Sequence, residues 1–156
     1  MAVTQIRNRP SVRWAFMQGF HVSKNGRPYL DRLRVVQTPW FGILLHRIHE
    51  PDTDRDPHDH PWPFASLILS GGYTECVHDK PGDLSSHEHH ERLRWSWHRM
   101  PLDRAHHITE INGVLWTLVL TGRRRPTWRF WTAGGPVDWK AYLAAGEDTG
   151  QADWPA

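Results

Sequence analysis

The sequence predicts an all-β domain, either a small antiparallel barrel or a double-sheet jelly roll, with one short helix near the C-terminus. Three observations predict it. From Tyr29 onward the chain is written as short apolar or alternating runs, too short for core helices and bounded by turn residues. The dipeptides Gly71-Gly72 and Asn112-Gly113 each stand between two such runs. The length, 156 residues, suits one domain with a sizeable core. A barrel or a double sheet is the way such short strands limit exposed edges.

In chain order, residues 1–28 are expected to form an N-terminal extension packing on the barrel, residues 29–146 the barrel, and residues 147–156 a tail. The expected strands are Leu30 to Val36, Phe41 to His49, Phe64 to Ser70, Tyr73 to Val77, Arg92 to His98, His106 to Ile111, Val114 to Thr121 and Thr127 to Trp131. Gly71-Gly72 and Asn112-Gly113 supply the positive φ that two-residue hairpin turns require, so a hairpin is expected at each. Arg92 to His98 alternates, which predicts a half-buried strand with Leu93, Trp95 and Trp97 on one face and Arg92, Arg94, Ser96 and His98 on the other. Glu50 to Pro57 and His78 to Glu91 read as polar loops. Val137 to Ala145 reads as a helix of about two turns with Gly146 as its stop. Of the ten tryptophans, Trp95, Trp97, Trp116 and Trp128 are expected as core or interface aromatics.

Composition narrows the function. Nineteen basic against 17 acidic residues leave a formal charge of +2, so charge alone does not imply a nucleic-acid partner. The single cysteine, Cys76, excludes an intramolecular disulfide framework and a Cys/His zinc finger, and it reads as a small buried residue of a reducing compartment. The first residues lack the apolar run of a secretory leader, and no stretch approaches the roughly 18 apolar residues of a membrane span. A cytoplasmic protein with no membrane partner is expected.

The chemistry concentrates in Pro57-His58-Asp59-His60-Pro61. Histidines one residue apart on an extended segment turn both imidazoles to one side, and the flanking prolines restrict the backbone that carries them. Such a pair can hold one metal ion, and a third imidazole from a distant strand would leave positions open to substrate, water or dioxygen. Later the chain supplies Pro101-x-Asp103-x-x-His106, then Glu110 and the Asn112-Gly113 turn.

Together the two segments resemble the cupin superfamily, whose motifs run His-x-His to a glycine after a short strand, and Pro-x-Gly-x-x-His. The match lies at His58, His60 and Gly71, then at Pro101 and His106, and spans roughly residues 40 to 131. The stretch from His58 to Glu75 is also similar to small cupin-like proteins of bacteriophages, from which a fold carries over but no activity. The resemblance implies an antiparallel jelly-roll barrel with a divalent transition metal held by His58, His60 and His106. His107 competes for the last place; the spacing from Pro101 favours His106, and strand alternation lets only one of the two point inward. The family's glutamate ligand falls near Phe64, which cannot bind a metal, so a three-histidine site is expected, with Glu75 as the residue that could return a carboxylate. Asp103 replaces the motif glycine, and Glu110 stands at the usual asparagine position. Asp59 and Asp103 are candidates to orient an imidazole N–H.

Imidazoles suit Fe, Zn, Cu and Ni, and an added carboxylate favours Fe(II) or Mn. Fe(II) is the expected metal, with Zn, Ni or Mn as alternatives, and the expected activity is a mononuclear oxygenase acting on a small polar molecule. The alternatives are a metal-dependent isomerase, epimerase or lyase, and a non-catalytic barrel that binds a small molecule or nucleotide. Glu75 and Tyr73 are the catalytic candidates, with Glu110 a third acid or base. Trp62 and Arg104, beside the motifs, are substrate-binding candidates. Arg123, Arg124 and Arg125 form the only dense basic patch and could take an anion, since arginine matches phosphate bidentately. With Trp128 and Trp131 between them and the helix, single-stranded nucleic acid is a weaker alternative to a solvated turn. His46 and His49 should face opposite sides of their strand, and His87-Glu88-His89-His90 reads as a solvated segment. Pairing of sheet edges into a homodimer is expected.

Overall fold

The structure, a computed structural model, describes residues 14–24, 27–52, 56–80 and 83–145. The expected tail, the helix stop Gly146 and the first part of the N-terminal extension lie outside the described residues. Nine strands and one helix are described: β1 Ala15–Lys24, β2 Arg27–Gln37, β3 Gly42–Ile48, β4 Phe64–His78, β5 Glu88–Arg92, β6 Trp97–Met100, β7 Ala105–Thr121, β8 Arg129–Thr132, β9 Gly135–Asp138 and α1 Trp139–Ala145. Every strand pair is antiparallel. The order is β1-β2-β3-β7-β4-β5, with β6 also on β4, while β8 and β9 form a separate ribbon. The path ends at β1 and β5, so the all-β sandwich is not a strictly closed barrel. Among the described residues no helix is long and apolar enough to cross a membrane.

Two expectations fail at one place, for one reason. Gly71-Gly72 and Asn112-Gly113 are not hairpin turns. They lie inside β4 and β7, two long strands that pair along their length, with Gly72 opposite Asn112 and the register shifting on either side of Ser70. Gly71 and Gly113 do take positive φ, 68° and 75°, but a β-bulge uses that conformation as readily as a tight turn does. A Cβ on Gly71 would lie 2.8 Å from the carbonyl oxygens of both Asn112 and Val114, so the close approach of the two strands needs glycine there.

The expected strand Arg92 to His98 is broken at the same level. β5 and β6 pair with the two halves of β4, and between them a turn carries Trp95 at φ 67°. The turn resets the alternation: Leu93, Trp95 and Trp97 are 56%, 63% and 66% exposed, and His98 is buried. Trp128 is buried as expected, with Trp131 fully so.

Residues 15–24, within the stretch expected as an N-terminal extension, are an edge strand of the main sheet. The outward Phe16, with Trp14 just before the strand, hides the alternation that would mark it, whereas Val22 packs with Tyr29 and Leu30. Ile68, Tyr73, Ile108 and Leu115 form the other buried cluster, on the inner sides of β4 and β7. The helix is shorter than expected, because Val137 pairs with Phe130 in the β8–β9 ribbon. It packs through Trp139 stacked on Trp128 and Tyr142 stacked on Phe130, with ring centroids 5.7 and 3.9 Å apart.

Candidate metal centre

The His58-Asp59-His60 segment is a short extended piece held between the start of β7 and β8. His58 and His106 exchange backbone hydrogen bonds of 2.9 and 3.0 Å. On the other side the Pro57 carbonyl accepts from the Trp131 N–H at 2.7 Å, and the Asp59 N–H donates to Arg129 O at 3.0 Å. Alternation then sends Asp59 away from the two imidazoles. Its buried carboxylate accepts from the Arg129 backbone N–H at 2.6 Å, from Arg129 Nε and Nη2 at 3.0 and 2.8 Å, and from Trp131 Nε1 at 3.2 Å. Asp59 therefore locks the segment to β8 instead of orienting an imidazole, and Asp103 is exposed in a turn.

His58, His60 and His106 converge. Their ring centroids are 5.1, 5.2 and 5.0 Å apart, and one nitrogen of each lies within 4.8 Å of the others. His60 Nε2 and His106 Nε2 are 2.8 Å apart. Two nitrogens bound at a right angle to one ion at about 2.1 Å would be about 3 Å apart, so the donor set fits a divalent transition metal. His107 points the other way and stacks on His78. Phe64, at the position where a family carboxylate falls, packs edge-on against His60 with ring centroids 4.9 Å apart.

The carboxylate that the site does possess lies behind it. Glu75, 0% exposed, accepts from His106 Nδ1 at 2.6 Å and from Arg92 Nε at 2.7 Å, and His98 Nε2 stands 3.9 Å from it. With Nδ1–H turned to Glu75, His106 keeps Nε2 for a metal, the arrangement by which a carboxylate fixes the tautomer and raises ligand basicity. Burial alone would raise Glu75, but the hydrogen bond and charge of His106, with His98 and Arg92, bring it down to about 2. Burial likewise pulls His106 down, and Glu75 and Asp52 outweigh it, leaving His106 above its ordinary value. His60 is held well below its own by burial and by the neighbouring histidines, so it is neutral and ready to donate a lone pair.

His58, His60 and His106 border a cavity of about 130 Å³ whose wall mixes apolar and aromatic side chains with a few polar ones. Trp62, Tyr73 and Arg124 line it, with the Arg124 guanidinium 5.5 Å over the Trp62 ring. The Tyr73 hydroxyl is 3.2 Å from His98 Nε2. The other candidates are not brought there. Arg104 pairs with Asp79 at 2.6 Å, Arg123 and Arg125 are exposed, and none of the three borders the cavity. Glu75 and Glu110 do not border it either, Glu110 being exposed on β7.

Sequence reasoning missed Arg32. It borders the cavity and donates Nε to His46 Nε2 at 2.9 Å, its direct cross-strand partner. Burial, then Arg34 and Arg124, lower it to about 10, so it remains charged at neutral pH. Among the described residues no carboxylate pairs with it. Also missed were Arg92 and His98, assigned to a solvent face by the alternation that the Trp95 turn interrupts. Opposite them Tyr29 donates to the buried Asp52, which also accepts from Ile108 N at 3.1 Å.

No protein-family model and no curated protein matches the chain. Solved structures do. Fe(II)-HppE with the alternative substrate (S)-1-HPP is similar at a TM-score of 0.52 and 14% identity, over 67% of this chain and 55% of its own. The polyketide cyclase RemF from Streptomyces resistomycificus is similar at 0.50 and 14% identity, over 83% of this chain and 87% of its own. A cupin superfamily protein from Desulfitobacterium hafniense DCB-2 aligns at 0.44 and 13% identity, over 60% and 77%. This chain spans little more than half the length of HppE. At such identities the likeness is one of fold, and one fold hosts many chemistries. What is shared with Fe(II)-HppE and the polyketide cyclase is the antiparallel sandwich that carries the site, and this chain has a cupin-like fold.

Proposed function

We propose that the protein is a mononuclear metal enzyme in which His58, His60 and His106 hold one divalent ion, with Fe(II) favoured, and that it acts as an oxygenase on a small anionic molecule. The observation that carries the reading is three convergent imidazoles and a charged Arg32 bordering the same small cavity. When bound, the metal supplies Lewis acidity and, as Fe(II), redox chemistry with dioxygen. The protein does the rest. Glu75 acts through His106, holding Nδ1–H so that Nε2 faces the cavity. Arg32 and Arg124 give a carboxylate, phosphate or phosphonate a charged partner, which relieves the cost of a largely buried guanidinium without a counter-ion. Trp62 and Phe64 wall the cavity and exclude water. Tyr73 is held neutral by burial and by Glu75, and its hydroxyl can hold or pass a proton through His98.

HppE, of similar fold, holds Fe(II) beside a substrate, which favours the iron-dependent reading. The likeness to a polyketide cyclase, which covers more of both chains, supports a second one, an isomerase, epimerase or lyase in which the metal acts only as a Lewis acid. Oxygen uptake separates them. Untagged protein loaded with Fe(II) and offered a panel of small hydroxy- and keto-carboxylates, phosphates and phosphonates should consume oxygen with at least one of them. The activity should vanish in His58→Ala, and KM should rise about tenfold or more in Arg32→Met. Turnover of a panel member by the Zn(II) or Mn(II) form without oxygen uptake would replace the first reading with the second. Failure of the reconstituted protein to bind any transition metal would end both.

A further inference from the structure

The run His87-Glu88-His89-His90 is polar enough to pass for a solvated segment, but strand pairing gives it a partner that the sequence conceals. Cys76 on β4 and His89 on β5 are direct cross-strand partners, and His87 stands two residues from His89 on the same face. Cys76 Sγ lies 3.2 Å from His89 Nδ1 and 3.6 Å from its Nε2. The rings of His87 and His89 are 5.0 Å apart, and one donor atom from each of the three residues lies within 4.8 Å of the other two. The thiol is buried and the imidazoles are exposed, so the cluster has a closed floor and an open top.

A second observation points into the same place. His78, two residues beyond Cys76, is 4% exposed, and its ring lies 5.4 Å from that of His87. Backbone groups of Asp83 and Ser86 lie close enough to act on it as weak hydrogen-bond partners, but neither ring nitrogen has a partner at good hydrogen-bond geometry. A buried imidazole with only such weak partners is under-satisfied, and an ion beside it would give it a full one.

We infer that Cys76, His87 and His89 form a second site for a divalent cation, zinc by its chemistry, on the face of β4 opposite Glu75 and separate from the cavity. One thiolate and two imidazoles are a donor set that zinc favours. Two such donors bound tetrahedrally to one zinc lie about 3.6 Å apart, within a few tenths of an ångström of the Cys76–His89 separations. Binding transfers the Cys76 thiol proton to solvent and forms the zinc–sulfur bond; no electron moves. His78, its ring 5.4 Å from that of His87, is an imidazole available for the fourth position. The ion would tie β5 to β4 and hold the connection between them.

Because Cys76 is the single cysteine, cobalt gives an unambiguous readout: a sulfur-to-cobalt charge-transfer band can arise only at this residue. Untagged full-length protein titrated with Co(II) should develop that band in the wild type and keep it in the double variant His58→Ala/His60→Ala, in which the cavity site is removed. Affinity read from the band should fall about tenfold or more in His87→Ala and in His89→Ala, and the band should be absent from Cys76→Ser. Should Cys76→Ser not fold, the wild type still decides, since Zn(II) should slow alkylation of its thiol about tenfold or more. Folded wild type that gives no band in excess Co(II), or a band unchanged by loss of both His87 and His89, would overturn the inference.

Discussion

Replacing Glu75 by glutamine tests how the site is built, because it removes one charge and little volume. The carboxylate sits fully buried between His106 and Arg92 at 2.6 and 2.7 Å. In Glu75→Gln the His106 Nδ1–H faces a neutral acceptor, its Nε2 becomes a weaker ligand, and Arg92 loses its counter-charge. Changing such a supporting group costs about 10- to 100-fold in metal affinity, or roughly 1.4 to 2.8 kcal/mol. The metal-free fold also weakens. The fall of the Glu75 pKa from an ordinary 4.5 to about 2 corresponds to about 3 kcal/mol, counted once for the pair with His106. The sign follows from a depressed folded-state value: the contribution is fully present above 4.5 and is lost as pH falls towards 2. At neutral pH the variant should therefore lose up to about 3 kcal/mol of unfolding free energy, less whatever the amide's own hydrogen bonds return. Chelator competition measures the first quantity and urea denaturation of metal-free protein the second. A folded variant that binds metal within about twofold of the wild type, with an unchanged urea midpoint, would refute the role given to Glu75.

Other expectations follow from the same geometry. Because Glu75 and Asp52 hold His106 above 6.5, a cation must displace its proton, so apparent metal affinity should fall about tenfold per pH unit below the His106 pKa and level off above it. Competition titrations across pH check this, and an affinity independent of pH there would contradict it. Asp59→Ala strips the acceptor from Arg129 and Trp131 and should lower unfolding free energy by about 3 kcal/mol, read from the denaturant midpoint, while also loosening the metal pair. Gly71→Ala, at φ 68° and against two carbonyl oxygens, should cost about 2 kcal/mol or more. Gly19→Ala, where nothing lies within 4 Å of the new methyl, is the control and should be near neutral by thermal unfolding.

How far the sequence could be read depended on whether a feature is local or depends on register. The all-β class, most strand positions and the His58/His60 pair are local, since alternation and proline constraints act on neighbours. Positive φ at Gly71 and Gly113 was legible for the same reason. Its use was not, because a bulge and a hairpin place the same demand on the residue and differ only in which strand lies opposite. Arg32 and His46, or Cys76 and His89, are cross-strand pairs, and no spacing along the chain announces them before β2–β3 and β4–β5 are in register. The alternation of Arg92 to His98 misled because one left-handed residue, Trp95, inverts the faces around it. That Phe64 offers no ligand atom is plain from its side chain; that Glu75 stands behind His106 depends on the long β4–β7 pairing.

The most direct test of the central claim is an anomalous difference map from crystals of untagged protein grown with Fe(II) or Zn(II), recorded at the metal's absorption edge. A peak is expected within bonding distance, about 2.1 Å, of one nitrogen from each of His58, His60 and His106. A well-ordered map with these three imidazoles in place and no peak among them, in protein exposed to excess metal, would contradict it.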